Sequence, residues 1–252
     1  MHDVFRLDNE LAIITGGGTG LGLGMAECFV AAGARVVLFG RRESVLADAC
    51  DSLGDAANCC AVDITDHEQT ADAVREVESL FGPPSILVNN AGVHLKKLAV
   101  DTTADEFRNV LETHVIAAHC LSRLVLPGMI ERRHGSLLFT ASMASLMGVP
   151  QVVAYSAAKS AYLGIVRTLA AEVSKDGVRV NGIAPGWIHS AMLDKAFASD
   201  PERARRVLSR TPMGKFGEPD DIGWAAVFLS SPAAKFITGT LLAVDGGASS
   251  GF

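Results

Sequence analysis

The chain has 252 residues, 49% of them apolar and 20% charged, with 25 glycines, 6% aromatics and a formal net charge of −6. Enough apolar material is present for a sizeable buried core. An acidic balance with no basic run beyond pairs such as Arg41-Arg42 argues against nucleic acid or an anionic membrane as partner, because both require clustered cations. No apolar run reaches the roughly 18 residues that span a bilayer, and the opening MHDVFRLDNELAIIT lacks the pattern of a signal peptide. Five cysteines without metal-ligand spacing read as reduced thiols in a cytoplasmic protein with no metal site.

Short apolar runs alternate along the chain with amphipathic stretches. Strands are expected at 11–15, 35–39, 59–62, 86–89, 136–141, 178–184 and 241–244. Helices are expected at 20–32, 43–53, 67–81, 104–133, 151–175 and 219–230, with Gly33, Gly135 and Gly177 closing three of them. The strand segments are rich in Val, Ile and Leu and barely alternate, as parallel strands covered on both faces do. One domain spanning 1–252 follows: an α/β fold with a doubly wound, parallel, seven-stranded sheet and helices on both faces. The stretch 190–215 breaks the rhythm. It follows a strand's carboxyl end, where a substrate lid would sit; a plain surface helix pair is the blander alternative.

Thr15-Gly16-Gly17-Gly18-Thr19-Gly20-Leu21-Gly22 joins the first strand to the first helix. Glycines there let the backbone turn with positive φ and approach a pyrophosphate, which the helix N-terminus attracts. At the end of the second strand an acidic residue would bind the adenosine ribose and repel a 2′-phosphate. This chain has Gly40 followed by Arg41 and Arg42. A guanidinium fork suits a phosphate, so Arg41, then Arg42, is expected to read it; a solvated basic pair at a helix start is the plainer alternative.

The glycine spacing T-G-x-x-x-G-x-G is joined by Asn89-Asn90-Ala91-Gly92, Ser142 with Tyr155-x-x-x-Lys159, Asn181 with Pro185-Gly186, and Val244-Asp245-Gly246-Gly247. In that order, over nearly the whole chain, these motifs resemble the short-chain dehydrogenase/reductase family in its form of about 250 residues. The resemblance implies a Rossmann fold, hydride transfer between NADP(H) and a carbonyl or secondary alcohol, and a homotetramer formed through the long helices and the C-terminal segment. NADP(H) is expected over NAD(H). The same resemblance assigns cofactor contacts to Thr15, Gly16, Gly18, Thr19, Gly20, Leu21 and Gly22. It further assigns Asp63 and Ile64 at the adenine, Asn90, Ala91 and Gly92 behind the cofactor, and Pro185, Gly186, Ile188 and Ser190 at the nicotinamide, with Tyr155 and Lys159 at its ribose. Asp63 could equally be a turn or cap residue.

Tyr155 and Lys159, four apart, share a helix face. A neighbouring ammonium is expected to lower the phenol's pKa, and Tyr155 can then exchange a proton with the substrate oxygen. Ser142 would orient that oxygen. Where many relatives of the resembling family carry a relay asparagine, this chain has His114. Its imidazole could continue a proton relay or be a satisfied core histidine.

Candidate substrate residues are His94, Lys96 and Lys97 after Asn-Asn-Ala-Gly; Met143 and the segment Val149, Gln151 and Val152 after Ser142; and Trp187, His189 and Met192. A basic cluster there could bind a carboxylate or stand on a solvated loop. The region is similar to bacterial sugar-acid dehydrogenases of the gluconate 5-dehydrogenase kind, so a sugar acid or polyol is the expected substrate. Met143, Met147 and Trp187 support the alternative of a 3-oxoacyl thioester or apolar ketone. A catalytically silent NADP-binding sensor is the alternative of another class, suggested only by His114.

Overall fold

The fold is taken from a computed structural model that describes residues 3–190, 193 and 201–251. Its seven strands are β1 Leu11–Thr15, β2 Arg35–Gly40, β3 Ala57–Ala61, β4 Ile86–Asn89, β5 Gly135–Thr140, β6 Val178–Pro185 and β7 Leu241–Val244. They form one parallel sheet in the order β3-β2-β1-β4-β5-β6-β7. The order reverses between β1 and β4, so the chains leaving those two strands diverge and open a crevice at the carboxyl edge.

The nearly continuous apolar strands are explained by two helix layers. Ala12, Ile14, Val36, Leu38 and Val88 face α1 (Gly20–Ala31) and α8 (Pro219–Ser230). Ile13, Val37, Phe39, Leu87, Leu137 and Phe139 face the layer of α3 (His67–Phe81), α5 (Ala117–Glu131) and α6 (Val153–Val173). The inner strands therefore bury both sides and their alternation disappears, while the edge strands β3 and β7 stay partly exposed. The remaining helices are α2 (Glu43–Leu53), α4 (Ala104–Leu111) and α7 (Pro201–Ser209).

Three expectations need correction. The helix expected over 104–133 is broken by a π-turn at Glu112–Ile116, between α4 and α5. The strand expected at 59–62 runs from Ala57 to Ala61, because Ala57 and Asn58 pair with Val36 and Val37 along the sheet edge despite their weak strand character. Gly135 does not close a helix; it opens β5, where a Cβ would press on Met129. Gly33 and Gly177 do turn the chain, at φ +99° and +80°. The stretch Ala104–Glu131 is long and apolar enough by itself to cross a membrane, although no single sequence run suggested it. Here Leu121, Val125 and Met129 on its inner face lie in the core, and 39% of its most apolar window is buried.

Candidate active site

A cleft of about 610 Å³ opens at the β1/β4 crevice. Gly16, Gly18, Thr19, Leu21, Gly22, Arg41, Arg42, Asp63, Ile64, Asn90, Ala91 and Gly92 all line it. The backbone here leaves no room for side chains. A Cβ at Gly22 would overlap the Gly16 carbonyl oxygen, and one at Gly16, where φ is +64°, would sit 3.1 Å from Ala91 Cα. Such a cradle, at the N-terminus of α1 whose first turn holds no acidic residue, fits an anionic diphosphate.

Of the expected cofactor residues, Tyr155, Lys159, Pro185, Gly186, Ile188 and Ser190 stand outside this lining, and so do Thr15 and Gly20 of the glycine loop. Thr15 is buried and its hydroxyl is saturated internally: it accepts from the N–H groups of Asn90 and Ala91 (both 2.9 Å) and donates to the Val88 carbonyl (3.2 Å). Together with the Asn90 amide donating to the Thr15 carbonyl (2.9 Å), it ties the ends of β1 and β4 and shapes the cleft from behind. Gly20, φ +55°, opens α1 from the solvent side. Asp63 bonds as a turn residue, its carboxylate accepting from Thr65 N–H (3.0 Å) and hydroxyl (2.8 Å). The helix cap is Asp66 instead. Asp63 also faces Arg41 at 3.7 Å. Although burial pulls the other way, the Thr65 bonds and the Arg41 charge leave its pKa below the ordinary carboxylate value.

At the cleft's inner end, where Gly92 and Val93 line it, a second cluster begins. Ser142 follows β5 and caps a short 3-10 turn, accepting from Ala144 N–H at 3.1 Å. Its hydroxyl also lies near enough to the Tyr155 phenol to lower that group's pKa. Lys159 is buried, donates to the Thr140 carbonyl at 2.5 Å, and lies 5.7 Å from the Tyr155 ring centroid and 5.1 Å from that of Tyr162. Burial pushes the Lys159 ammonium down to about 7. The expected lowering of the Tyr155 pKa by Lys159 is not what this geometry gives. Burial raises it, and the nearby Ser142 hydroxyl offsets only part. The ammonium lies over the ring face, and its own charge is disfavoured by desolvation.

His114 sits within the π-turn, edge-on to Tyr155, with ring centroids 5.6 Å apart at 86°. Its Nε2 accepts from Val93 N–H (3.1 Å) or, in the other tautomer, donates to the Val93 carbonyl (2.8 Å). Among the described residues Nδ1 has no hydrogen-bond partner. Burial, helped by the Lys159 charge, brings its pKa to about 3, so the ring is neutral in the working range. These contacts are those of a buried histidine wedged beside the reactive phenol, and they disfavour an imidazolium relay.

On the nicotinamide side, Gly186 N–H donates to the Val244 carbonyl, and a Cβ there would meet Asp245 Cα at 2.6 Å. Pro185 and Ile188 are buried, Ile188 bridging Gly217. The Ser190 hydroxyl accepts from Leu193 N–H at 3.2 Å. Around the mouth, His94 packs its ring 5.1 Å from that of Tyr155. Met143 is buried, Val149 and Trp187 are half-buried, and Gln151 is exposed. Met192 lies outside the described residues, as do 191 and 194–200 of the expected lid. Lys97 is spoken for: it pairs with Glu106 at 2.9 Å, and its N–H donates to the Gln151 carbonyl. The basic cluster thus reduces to His94 and Lys96. Among the described residues no group of three His, Cys, Asp or Glu could hold a metal, and all five cysteines are unpaired thiols.

The sequence reading passed over Tyr162, Thr140, Val93 and the backbone strain at Gln151, whose φ is +69°. Tyr162 alone left a signal: it lies three residues past Lys159 on the same helix face. The other contacts are made by main-chain atoms, which no residue pattern encodes.

A backbone-built cleft at the switch point, leading to a serine, a tyrosine and a lysine, defines a class of oxidoreductases that act on CH–OH groups. The chain belongs to the short-chain dehydrogenase/reductase family, its residues 16–249 matching the member family described as enoyl-(acyl carrier protein) reductase. It is 40% identical to galactitol 2-dehydrogenase (L-tagatose-forming) of Cereibacter sphaeroides over 97% of this chain and 96% of that protein. It is 34% identical to a 3-oxoacyl-(acyl-carrier-protein) reductase of Vibrio cholerae over 96% of this chain and 98% of the other. Among solved structures, a gluconate 5-dehydrogenase of Burkholderia cenocepacia, in complex with NADP and tartrate, superposes with a TM-score of 0.94 at 32% identity, covering 99% of both chains.

Proposed function

We propose that this protein interconverts a keto and a hydroxyl group on a sugar acid or polyol, using NADP(H). The observation that carries this reading is the meeting of Ser142, Tyr155 and Lys159 where the anion-fitting cleft ends, with the Lys159 ammonium 5.7 Å from the centre of the Tyr155 ring. When bound, the nicotinamide supplies or takes the hydride. The chain's own residues handle the oxygen. Ser142 holds it, and Tyr155 donates a proton as it becomes an alcohol or accepts one in oxidation. Lys159, held beside the phenol by the Thr140 carbonyl, would hold the nicotinamide ribose. Gly16 to Gly22 and Asn90 to Gly92 would cradle the diphosphate, and Asp63 and Ile64 the adenine. Arg41, with Arg42 beside it, would turn from Asp63 to a 2′-phosphate, which makes NADP the preferred nucleotide.

Gluconate 5-dehydrogenase and galactitol 2-dehydrogenase among the relatives support a polyhydroxylated substrate. His94, beside Tyr155, and Lys96 would meet its carboxylate, with Gln151, Trp187 and Met192 along its length and 190–215 as a lid. A second reading, an apolar ketone or 3-oxoacyl thioester, draws on Leu146 and Met147, exposed at 45% and 36% close to the site, and on the loss of Lys97 to Glu106. Exposed Ile116 and Val153 support a homotetramer paired through the long helices, with the C-terminal segment at its second axis, and free thiols suit the cytoplasm.

The test is nicotinamide absorbance with NADPH and NADH, against keto-aldonates, ketoses, an acetoacetyl thioester and apolar ketones. Turnover of keto-aldonates or ketoses with NADPH preferred supports the reading. Turnover of the thioester alone replaces it with the second.

A further inference from the structure

Tyr162 is fully buried, and a buried hydroxyl without a partner is costly. This one donates to the main-chain carbonyl of His114, at 2.6 Å, inside the π-turn. A π-turn is rare within a helical stretch and frequently marks a functional site. The ring does separate work. It packs against Phe139, centroids 5.2 Å apart, and turns its face to Lys159 Nζ at 5.1 Å. Lys159 thus lies between two aromatic faces, with the Thr140 carbonyl as its hydrogen-bond acceptor. An aromatic face restores part of the stability that desolvation takes from a cation.

We propose that Tyr162 is a positioning residue for the proton transfer: its hydroxyl locks the π-turn that presses His114 against Tyr155, and its ring keeps Lys159 cationic and in place. Core filling alone would not need the oxygen, since a phenylalanine fills the same space. The groups facing Tyr155 and Lys159 are His94 from the segment after β4, His114 from the π-turn, Ser142 after β5, and Tyr162 from α6 itself. No carboxylate is among the described groups acting on either. The inference rests on Tyr155 as the proton donor.

Tyr155 and Tyr162 are the only tyrosines in the chain. Tyr162→Phe therefore leaves Tyr155 as the sole phenol in a near-ultraviolet tyrosinate titration of the free protein, with Tyr155→Phe identifying the other phenol in the wild type. In Tyr162→Phe the Tyr155 midpoint is expected to fall toward that of an ordinary phenol, as His114 loosens and water enters. The pH profile of kcat should move with it and kcat should drop about ten- to a hundredfold, with KM and NADPH binding little changed. Tyr162→Leu, which also removes the ring, should move the Lys159 limb of the profile further toward acid. A phenol midpoint and pH profile superimposable on wild type in Tyr162→Phe, whatever the change in Tm, would overturn the proposal. Should the variants fail to fold, fluorotyrosine in the wild-type chain gives two fluorine resonances. Tyr162 fixed while Tyr155 titrates supports the tie, and both titrating together overturns it. These titrations use neither substrate nor nucleotide, so their failure is distinct from that of Tyr155 as proton donor, which Tyr155→Phe turnover decides.

Discussion

The cleft and the cluster at its inner end lie side by side at the carboxyl edge of one sheet, yet are made of different materials. The cleft is glycine backbone and exposed charge, with the Arg41 side chain 69% exposed. The cluster is side chains from four separate segments pressed out of water, with Lys159 only 3% exposed. Charges in the cleft are solvated, screened and free to change partner. In the cluster the same kind of charge is shifted by burial alone, from 10.5 to about 7 for Lys159. Recognition here is thus a matter of backbone approach, and chemistry a matter of desolvation.

The sharpest way to separate the two is Tyr155→Phe. Removing the phenol oxygen should lower kcat by about a thousandfold while NADPH binding, followed by nicotinamide fluorescence, stays within error. Loss of binding as well would mean the two regions are one. Gly92→Ala probes the boundary between them, because its Cβ would overlap His114 Cε1. Activity should fall by about a hundredfold, and His114→Ala in the same chain should recover much of it. Recovery in steady-state assays tests the packing directly; its absence would locate the damage in the cleft.

Within the cleft, Arg41→Ala should raise the KM for NADPH about tenfold, the scale of one charge-assisted hydrogen bond, and leave that for NADH unchanged. Equal effects on both nucleotides would remove Arg41 from the 2′-phosphate. The cluster has its own pH signature. His114 has a folded pKa near 3 against an ordinary 6.5, so the unfolded chain binds the extra proton between those values and stability rises with pH across them. Lys159 acts likewise between about 7 and 10.5. Denaturation midpoints of His114→Asn should accordingly lose part of the wild type's acid sensitivity below pH 6.5. The smallest effect is expected at the mouth. Gln151→Gly relieves a left-handed φ of +69° and should change stability by about 1 kcal/mol or less, read from Tm, unless the strained turn sets substrate KM.

The cleft was the more legible region. Gly16, Gly18, Gly22, Arg41 and Asn90 carry their meaning in residue type and spacing, because backbone that must turn or approach closely admits few alternatives to glycine. Tyr155, Lys159 and Ser142 were legible as a pattern, but not their electrostatics. The expected fall in the Tyr155 pKa gave way to burial, and Lys97 was lost to Glu106, a partner nine residues away across a turn.

Amphipathic stretches alternating with apolar runs already determined, without coordinates, the parallel α/β layering, and fixed spacings singled out the glycine loop and Ser142, Tyr155 and Lys159, since each depends on local periodicity or a short motif. Only the tertiary structure decided where the long helix breaks, which main-chain atoms hold Thr15, Lys159 and His114, and which charges survive burial. Those outcomes arise from contacts between residues distant in the chain, among them Tyr162 with His114 and Lys159 with Thr140. Their energies depend on how much water the assembled fold excludes, which no single segment records.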